Sequence, residues 1–315
     1  MSKPLILMYH RIADEPIDYW GLAVSPAHFE EQLEVLRRSR RTLPLAEFVR
    51  MLVAGTLPPD AVAVTFDDGY ADNLVDGLPR LAAADVPATV LLASGYVDRH
   101  EPFWWDELAG FILLKHDPMR LEVEIEGKLM GFDLGNGSGA DTDCATPSAW
   151  KSPHNVLEAI YNPMRFLDEE QRRAVMIEIR SSFAGRAGNA GLPRAMTSGE
   201  VRALAADGLV TVGAHTVTHP SLPGLGTAAC RREVTESKLA CEALVETPVA
   251  AFTYPYGEFN AQAREAVKQA GFAFACATRG SDLTASDIFT LPRIYVPNVD
   301  GDVFEQRIRW ASADG

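Results

Sequence analysis

Two pairs of residues in this sequence have the types and spacing that a hydrolytic metal site requires. Asp67 and Asp68 directly follow the apolar run AVAVTF, and His215 and His219 stand four residues apart in HTVTH. Two imidazoles and one carboxylate form a facial ligand set for a divalent ion and leave positions for water and substrate. Because side chains alternate along a strand, one aspartate can bind the metal while the other acts as general base.

Each motif also has an ordinary alternative. An isolated Asp-Asp pair usually forms a turn or caps a helix, and a His-x-x-x-His spacing often arises by chance. His10, which ends the first apolar run, could be a hydrogen-bonded core histidine. Trp104 and Trp105 could pack in a core or stack on a sugar ring. The prediction of a site therefore depends on the combination of residues at strand ends, and not on any one of them.

Short apolar runs separated by helical patterns supply the elements that must position these residues. The runs are residues 4–10, 61–66, 88–93, 209–215, 250–257, 272–278 and 290–296. Buried strands that alternate with helices predict a parallel sheet of about seven strands with crossover connections, either open or closed into a barrel. No glycine-rich nucleotide loop follows any run, which favours a distorted (β/α) barrel. In such folds the site forms at the carboxyl ends of the strands.

The alternation breaks between about residues 100 and 195. The sequence predicts an aromatic-rich helix start at EPFWWDELAGFILL, a hairpin around Gly127-Lys128 and an amphipathic helix at DEEQRRAVMIEIRSSF. We interpret residues 100–195 as a mixed helix and hairpin insertion within one barrel domain that spans residues 1–315.

Composition and charge limit the classes of function. Of the 315 residues, 47% are hydrophobic and 23% are charged, which is typical of a globular protein. A net charge of −14 argues against nucleic-acid binding, which requires a basic surface. No run reaches the roughly 20 apolar residues of a membrane span. An N-terminus without signal-peptide features predicts a cytoplasmic location, in which the cysteines are reduced packing residues. They are Cys144, Cys230, Cys241 and Cys276.

Three motifs resemble those of the polysaccharide deacetylase family, the NodB-homology carbohydrate esterases. They are TFDDG at residues 65–69, HTVTH at residues 215–219 and, at the end of an aromatic-rich stretch, PYG at residues 255–257. The first two match the family pattern in full, in the family's order and separation. The resemblance covers about residues 1–100 and 195–300 and leaves the insertion aside.

The resemblance implies a role for each motif residue. Asp67 would be the catalytic base, and Asp68, His215 and His219 would hold a divalent metal, usually zinc and sometimes cobalt, nickel or manganese. Water would attack the N-acetyl carbonyl, and the amine would leave with acetate. The backbone N–H of Tyr256 would help to stabilise the oxyanion. The family fold is a distorted (β/α) barrel with seven strands, which agrees with the number of apolar runs.

The sequence departs from the family's common pattern at two positions. Many members have an arginine before the PYG stretch that orients the base, where Thr253 stands here. Many have a late Leu-x-His motif that supplies a general acid, where residues 291–293 read Leu-Pro-Arg. We hypothesise that Arg293 replaces the missing arginine and keeps Asp67 ionised. His10 is then the predicted proton donor.

Three functions fit these observations. The first is removal of acetyl from an N-acetylated sugar or glycan, including a lipid-linked or nucleotide-linked precursor in polysaccharide biosynthesis. Pro255 and the Trp104-Trp105 pair are the residues expected to contact it. The second is hydrolysis of a non-sugar amide at the same metal site. The third is a non-catalytic carbohydrate-binding protein, which the missing acid histidine favours.

Overall fold

The computed structural model describes residues 3–15, 18–113, 119–134, 152–183, 191–278 and 283–313. The chain divides into two compact units, one formed by Met1–Arg99 and Ala195–Gly315 and the other by His100–Arg194. The second unit coincides with the segment interpreted as an insertion. The assignment of the whole chain to one domain stays a prediction.

Short parallel strands form the centre of the first unit. In chain order the strands of the described residues are β1 (Leu5–Tyr9), β2 (Arg11–Ile12), β3 (Ala23–Val24), β4 (Arg41–Thr42), β5 (Ala61–Phe66), β6 (Ala88–Leu92), β7 (Met119–Ile125), β8 (Lys128–Leu134), β9 (Val210–Ala214), β10 (Ala251–Thr253), β11 (Phe274–Ala277), β12 (Leu291–Pro292) and β13 (Ile294–Tyr295). The main sheet has the order β12-β11-β10-β9-β6-β5-β1-β13, and β4 pairs with β5 beside this path. Every pair in it is parallel.

The two ends of the sheet are consecutive in the chain, so the sheet is a nearly closed barrel. Leu291 and Pro292 pair with β11, whereas Ile294 and Tyr295 pair with β1. Arg293 lies between the two halves and donates its backbone N–H to the carbonyl of Ala277 at 3.0 Å. If β12 and β13 are taken as one strand, the barrel has seven strand positions, and each contains one of the seven apolar runs. The predicted (β/α) barrel is confirmed.

The alternation of side chains along these strands separates two cores. In β5, Val62, Val64 and Phe66 belong to the larger core that packs against the surrounding helices. Ala61 and Ala63 point the other way, into a smaller core inside the barrel. Both faces of the sheet are therefore buried, which explains why the strands are continuous apolar runs.

The described residues of both units contain α-helices. They are α1 (Pro26–Ser39), α2 (Leu45–Val53), α3 (Leu78–Ala84), α4 (Trp104–Leu113), α5 (Pro153–Met164), α6 (Glu169–Ser182), α7 (Ser198–Ala205), α8 (Thr227–Val245), α9 (Ala261–Gln269) and α10 (Gly301–Ala313). Thr197 and Glu200 form a capping box at the start of α7. Among the described residues, no helix is long and apolar enough to cross a membrane.

The second unit contains α4, α5, α6 and an antiparallel hairpin. Strands β7 and β8 pair along their full length from Met119↔Leu134 to Ile125↔Lys128, which confirms the predicted hairpin. Its two turn residues, Glu126 and Gly127, have φ of 52° and 75°, as a type I′ turn requires. The glycine-containing segment at residues 135–148, which includes Cys144, lies outside the described residues. Cys230, Cys241 and Cys276 in the first unit are free and buried.

Candidate active site

The sequence-predicted residues of the first unit gather at the carboxyl ends of the barrel strands. Asp67 and Asp68 follow β5, His215 and His219 follow β9, and Tyr256 follows β10. His10 follows β1, and Arg293 lies at the seam where the barrel closes. The fold therefore brings together residues that are up to 283 positions apart, at the edge where parallel α/β proteins place their chemistry.

A sharp turn after β5 sends the two adjacent carboxylates in different directions. Asp68 has a left-handed φ of 71°, and Gly69 follows with φ of 84°. A Cβ on Gly69 would lie 2.5 Å from Leu92 Cδ2, so this position requires glycine for both conformation and space. The backbone carbonyl of Asp68 accepts a hydrogen bond from the N–H of Ala93 on the neighbouring strand end at 3.2 Å. The turn is thus anchored to β6.

Asp68, His215 and His219 form a buried cluster whose ligand atoms lie within 4.8 Å of one another. The two histidine Nε2 atoms are 3.1 Å apart. Asp68 Oδ1 is 3.7 Å from His215 Nε2 and 3.4 Å from His219 Nε2. Two nitrogen donors and one anionic oxygen that converge in this way fit a divalent cation.

The far ring nitrogens of both histidines have partners that orient the rings. His215 Nδ1 is 2.8 Å from the carbonyl oxygen of Thr253, and His219 Nδ1 is 3.2 Å from the hydroxyl of Tyr256. Burial lowers the pKa of His215, so its imidazole is neutral, as a metal ligand must be. The geometry of the three donor atoms and the neutral state of His215 therefore both fit a bound divalent cation.

The turn that connects the two histidines is held by Glu233 of α8. Its carboxylate accepts hydrogen bonds from the backbone N–H groups of Val217 and Thr218 at 2.8 and 2.9 Å and from the Thr218 hydroxyl at 2.7 Å. His219 itself has a left-handed φ of 58°, and its N–H donates to Thr216 Oγ1 at 3.0 Å. The sequence analysis missed Glu233, because nothing in a helix-borne glutamate signals such a contact.

Arg293 forms a two-pronged ion pair with Asp67 in the barrel interior. Its Nη1 donates to Asp67 Oδ1 at 2.8 Å and its Nη2 to Oδ2 at 2.6 Å. The two side chains are 0% and 3% exposed. Nη1 also donates to the hydroxyl of Thr65 at 3.1 Å, which in turn donates to the carbonyl of Leu7 at 2.6 Å. A buried carboxylate held in this way has a fixed orientation.

The charge of Arg293 controls the ionisation of Asp67. Burial pushes the pKa of Asp67 upward, but the positive charge of Arg293, the proximity of His215 and the hydrogen bonds from Arg293 outweigh burial. The pKa of Asp67 is therefore lowered below its ordinary value. Asp67 is an ionised carboxylate at neutral pH, whereas an unpaired buried carboxyl would be protonated much more readily.

His10 lies close enough to respond to the charges of Asp67, Arg293 and His215. Burial is the largest effect on this ring and lowers its pKa to about 4, and Asp67 opposes the change. Its Nδ1 is buried without a hydrogen-bond partner among the described residues, while its backbone carbonyl accepts from Asn73 Nδ2 at 2.8 Å. The ring is therefore neutral at pH 7.

The turn of residues 255–257 has a strained backbone at the same edge of the barrel. Tyr256 has φ of 60°. Gly257 has φ of 66°, and a Cβ there would lie 1.6 Å from Thr278 Oγ1. Only glycine fits at this position. Pro255 is buried and begins the turn, which places its side chain in the packing of this loop.

Trp104 and Trp105 lie in the second unit, at the start of α4, and each is only 4% exposed. Trp104 stacks on Tyr161 with ring centroids 5.2 Å apart, and Trp105 stacks on Phe103 at 4.7 Å. Their ring faces are covered by neighbouring aromatic residues. This arrangement favours the packing role that the sequence left open over stacking on a sugar.

Comparisons with known proteins agree with this geometry. Residues 54–119 and 161–275 match the family model described as Polysaccharide deacetylase. A deacetylase from Streptococcus pyogenes, PplD in complex with acetate, superposes with a TM-score of 0.62 at 17% identity, covering 99% of both chains. IcaB from Ammonifex degensii gives 0.62 at 18% identity, covering 99% of this chain and 98% of that one. A de-N-acetylase from Aggregatibacter actinomycetemcomitans gives 0.59 at 16%, covering 97% and 99%. A search of the curated proteins gives no match.

The fold and the site define the class of protein, a barrel hydrolase with its reactive groups at the carboxyl ends of the strands. The family match extends over more than half of the chain. The protein belongs to the polysaccharide deacetylase family, whose members are hydrolases that act on carbon–nitrogen bonds.

Proposed function

We propose that this protein is a divalent-metal-dependent deacetylase that removes the N-acetyl group from an N-acetylated sugar or glycan. One observation carries the proposal: the buried Asp68, His215 and His219 cluster lies beside Asp67, a second carboxylate that Arg293 holds ionised. A ligand set and a separate base are the two parts that metal-assisted amide hydrolysis requires.

Asp68, His215 and His219 would hold the metal. Zinc is the proposed ion, because it accepts imidazole nitrogen and carboxylate oxygen in a set of three protein ligands with an open position. Cobalt, nickel and manganese accept the same donors. The bound ion would supply Lewis-acid polarisation of the amide carbonyl and of the attacking water.

Asp67 is the proposed base, and its hydrogen bonds leave it one acceptor position. A carboxylate has about four lone-pair positions. Oδ1 accepts from Arg293 Nη1 and from the Thr253 hydroxyl, and Oδ2 accepts from Arg293 Nη2. The remaining position on Oδ2 would take a proton from water as the water oxygen bonds to the acetyl carbon. The carbon–nitrogen bond then breaks, and acetate and the free amine leave.

Two further residues have proposed roles in this step. The backbone N–H of Tyr256 would donate to the oxyanion, next to Pro255, which would contact the substrate. His10 would deliver a proton to the leaving nitrogen. Because the pKa of His10 is lowered to about 4 by burial, its neutral ring would have to relay a proton that it receives in the same turnover.

The acetyl group and the sugar are supported by the relatives. The Streptococcus pyogenes deacetylase binds acetate, and the Aggregatibacter actinomycetemcomitans protein is a de-N-acetylase. Since Trp104 and Trp105 are covered by Tyr161 and Phe103, the proposal gives them no stacking role. The predicted cytoplasmic location would make a lipid-linked or nucleotide-linked sugar the substrate to test first.

Acetate release from a panel of N-acetylated sugars tests this function. The panel contains free, oligomeric, lipid-linked and nucleotide-linked forms, each assayed with chelator-stripped protein and with protein reloaded with zinc or cobalt. Asp67→Asn should reduce turnover about 10²–10⁴-fold, the usual contribution of a general base. Asp302→Asn, which removes an exposed carboxylate on α10, is the matched control and should retain full activity.

The outcomes separate the three functions. Metal-dependent acetate release that is lost in Asp67→Asn supports the sugar deacetylase. Metal binding without acetate from any sugar, but with turnover of a simple N-acyl amide, indicates the non-sugar hydrolase. Metal and sugar binding without any turnover indicates the non-catalytic protein.

A further inference from the structure

We propose that Thr253 is a positioning residue whose hydroxyl ties the base Asp67 to the metal ligand His215; this inference rests on the proposed function. Thr253 is the last residue of β10 and is fully buried. It stands where many family members have an arginine, so its role cannot be carried over from them.

The Thr253 hydroxyl lies between the two groups. Its Oγ1 is 3.2 Å from Asp67 Oδ1 and 2.6 Å from His215 Nδ1. The backbone carbonyl of the same residue is 2.8 Å from His215 Nδ1. One hydroxyl oxygen therefore contacts both the base and a ligand.

The count of protons fixes the direction of these hydrogen bonds. An ionised carboxylate can only accept, so the one hydroxyl proton of Thr253 goes to Asp67. Toward His215, both Oγ1 and the carbonyl oxygen can then only accept, which requires the proton of His215 to be on Nδ1. The Nε2 atom that faces Asp68 and His219 consequently keeps its lone pair for a cation.

This arrangement divides the positioning of Asp67 between two residues. Arg293 supplies the charge and the two-pronged grip, and its guanidinium donates to Asp67 and to the hydroxyl of Thr65. Thr253 supplies the link that sets the base against His215. Loss of the hydroxyl would leave the ion pair of Asp67 with Arg293 in place, but Asp67 would no longer be fixed relative to the water that it must deprotonate.

The test compares Thr253→Val, which keeps the shape and removes the hydroxyl, with Thr253→Ser, which keeps the hydroxyl. Both are assayed for kcat and KM at saturating metal and for zinc affinity by competition with a chromophoric chelator. Loss of an oriented partner of this kind lowers activity or affinity about 10–100-fold. We expect Thr253→Val to lose kcat in that range with KM within about twofold of wild type, and Thr253→Ser to restore most of it.

Zinc affinity should change less than kcat in Thr253→Val, about threefold to tenfold, because the backbone carbonyl still accepts from His215. If Thr253→Val does not fold, Thr253→Ala replaces it in the same comparison with Thr253→Ser. Wild-type kcat in the variant without a hydroxyl, or failure of Thr253→Ser to restore kcat, overturns the inference about Thr253. Neither outcome affects the proposed function. If the wild type releases no acetate, the proposed function fails, and unchanged zinc affinity in Thr253→Val would then overturn the inference separately.

Discussion

Replacing Arg293 with methionine should destabilise the metal-free protein by an amount that depends on pH. The substitution removes the guanidinium and leaves the Asp67 carboxylate, 3% exposed, without its positive partner. Breaking a buried pair in this way costs about 3–5 kcal/mol. Asp67 can avoid part of this cost by taking up a proton. The free-energy cost of protonation therefore sets an upper limit on the destabilisation that the unpaired charge of Asp67 causes.

The limit follows from the ordinary pKa of aspartate, about 3.9, at 1.36 kcal/mol per pH unit. Protonating Asp67 costs about 4 kcal/mol at pH 7 and about 1.5 kcal/mol at pH 5. In the wild type the pKa of Asp67 is lowered, so its ionised form stabilises the fold above the unfolded pKa. In the variant, burial alone raises that pKa, and stability falls as pH rises. The difference between the two proteins should therefore grow by up to about 2.7 kcal/mol between pH 5 and pH 7.

Urea unfolding of chelator-treated protein, followed by tryptophan fluorescence at both pH values, measures this difference. Arg37→Met is the matched control, because Arg37 pairs with Glu34 on the surface with side chains 62% and 54% exposed, and it should cost less than about 1 kcal/mol. The double variant Arg293→Met with Asp67→Asn should be more stable at pH 7 than Arg293→Met alone. Equal destabilisation at pH 5 and pH 7, or additive effects in the double variant, would refute the reasoning.

Three further predictions concern other parts of the site. In metal-free protein, burial lowers the pKa of His10 from 6.5 to about 4. The unfolded protein therefore binds more protons than the folded protein between these pH values, and stability rises with pH there. His10→Gln should flatten this rise in urea titrations, and an unchanged slope would contradict the prediction. Glu233→Gln removes a carboxylate acceptor from the turn that connects His215 and His219, and it should weaken zinc binding about 10–100-fold in chelator competition. Glu236 is exposed on the same helix, and Glu236→Gln should bind zinc as tightly as the wild type. Gly257→Ala should lower the free energy of unfolding by more than about 2 kcal/mol through backbone strain and overlap with a neighbouring side chain. Gly55 is the control, because it has φ of 69° with open space around it, and Gly55→Ala should lower the free energy of unfolding by about 1 kcal/mol. Similar losses for the two glycines would argue against the overlap.

The elements that the sequence predicts well are those whose signal is local. All the apolar runs are strands of the barrel, because burial on both faces makes each strand a continuous hydrophobic segment. The position of Asp67, Asp68, His215 and His219 follows from the rule that parallel strands bring their carboxyl ends to one edge. The sequence also suggested Arg293 beside Asp67, and the two side chains are in contact; the catalytic role of this contact stays a proposal.

The contacts that the sequence does not reveal depend on how distant elements pack. Glu233 reaches the metal-ligand turn only because of the rotation of α8 about its axis. The double contact of Thr253 depends on the register between β9 and β10, in which Phe252 pairs with Ala214. The sequence leaves both a packing and a binding role open for Trp104 and Trp105, because only the surrounding rings decide which faces are open. The division of residues 290–296 between two partner strands is likewise a property of barrel closure.

Closure of the barrel at Arg293 and formation of the ion pair with Asp67, the proposed base, depend on the same step of folding. Residues 291–295 must dock on β11 and on β1 in the correct register before the guanidinium can reach Asp67. A barrel that lacks this segment, or in which it has slipped by one residue, would still contain the three proposed metal ligands. Burial would then raise the pKa of Asp67, the proposed base, without the opposing charge of Arg293. The proposed metal ligands can therefore be in place before the proposed base is ionised.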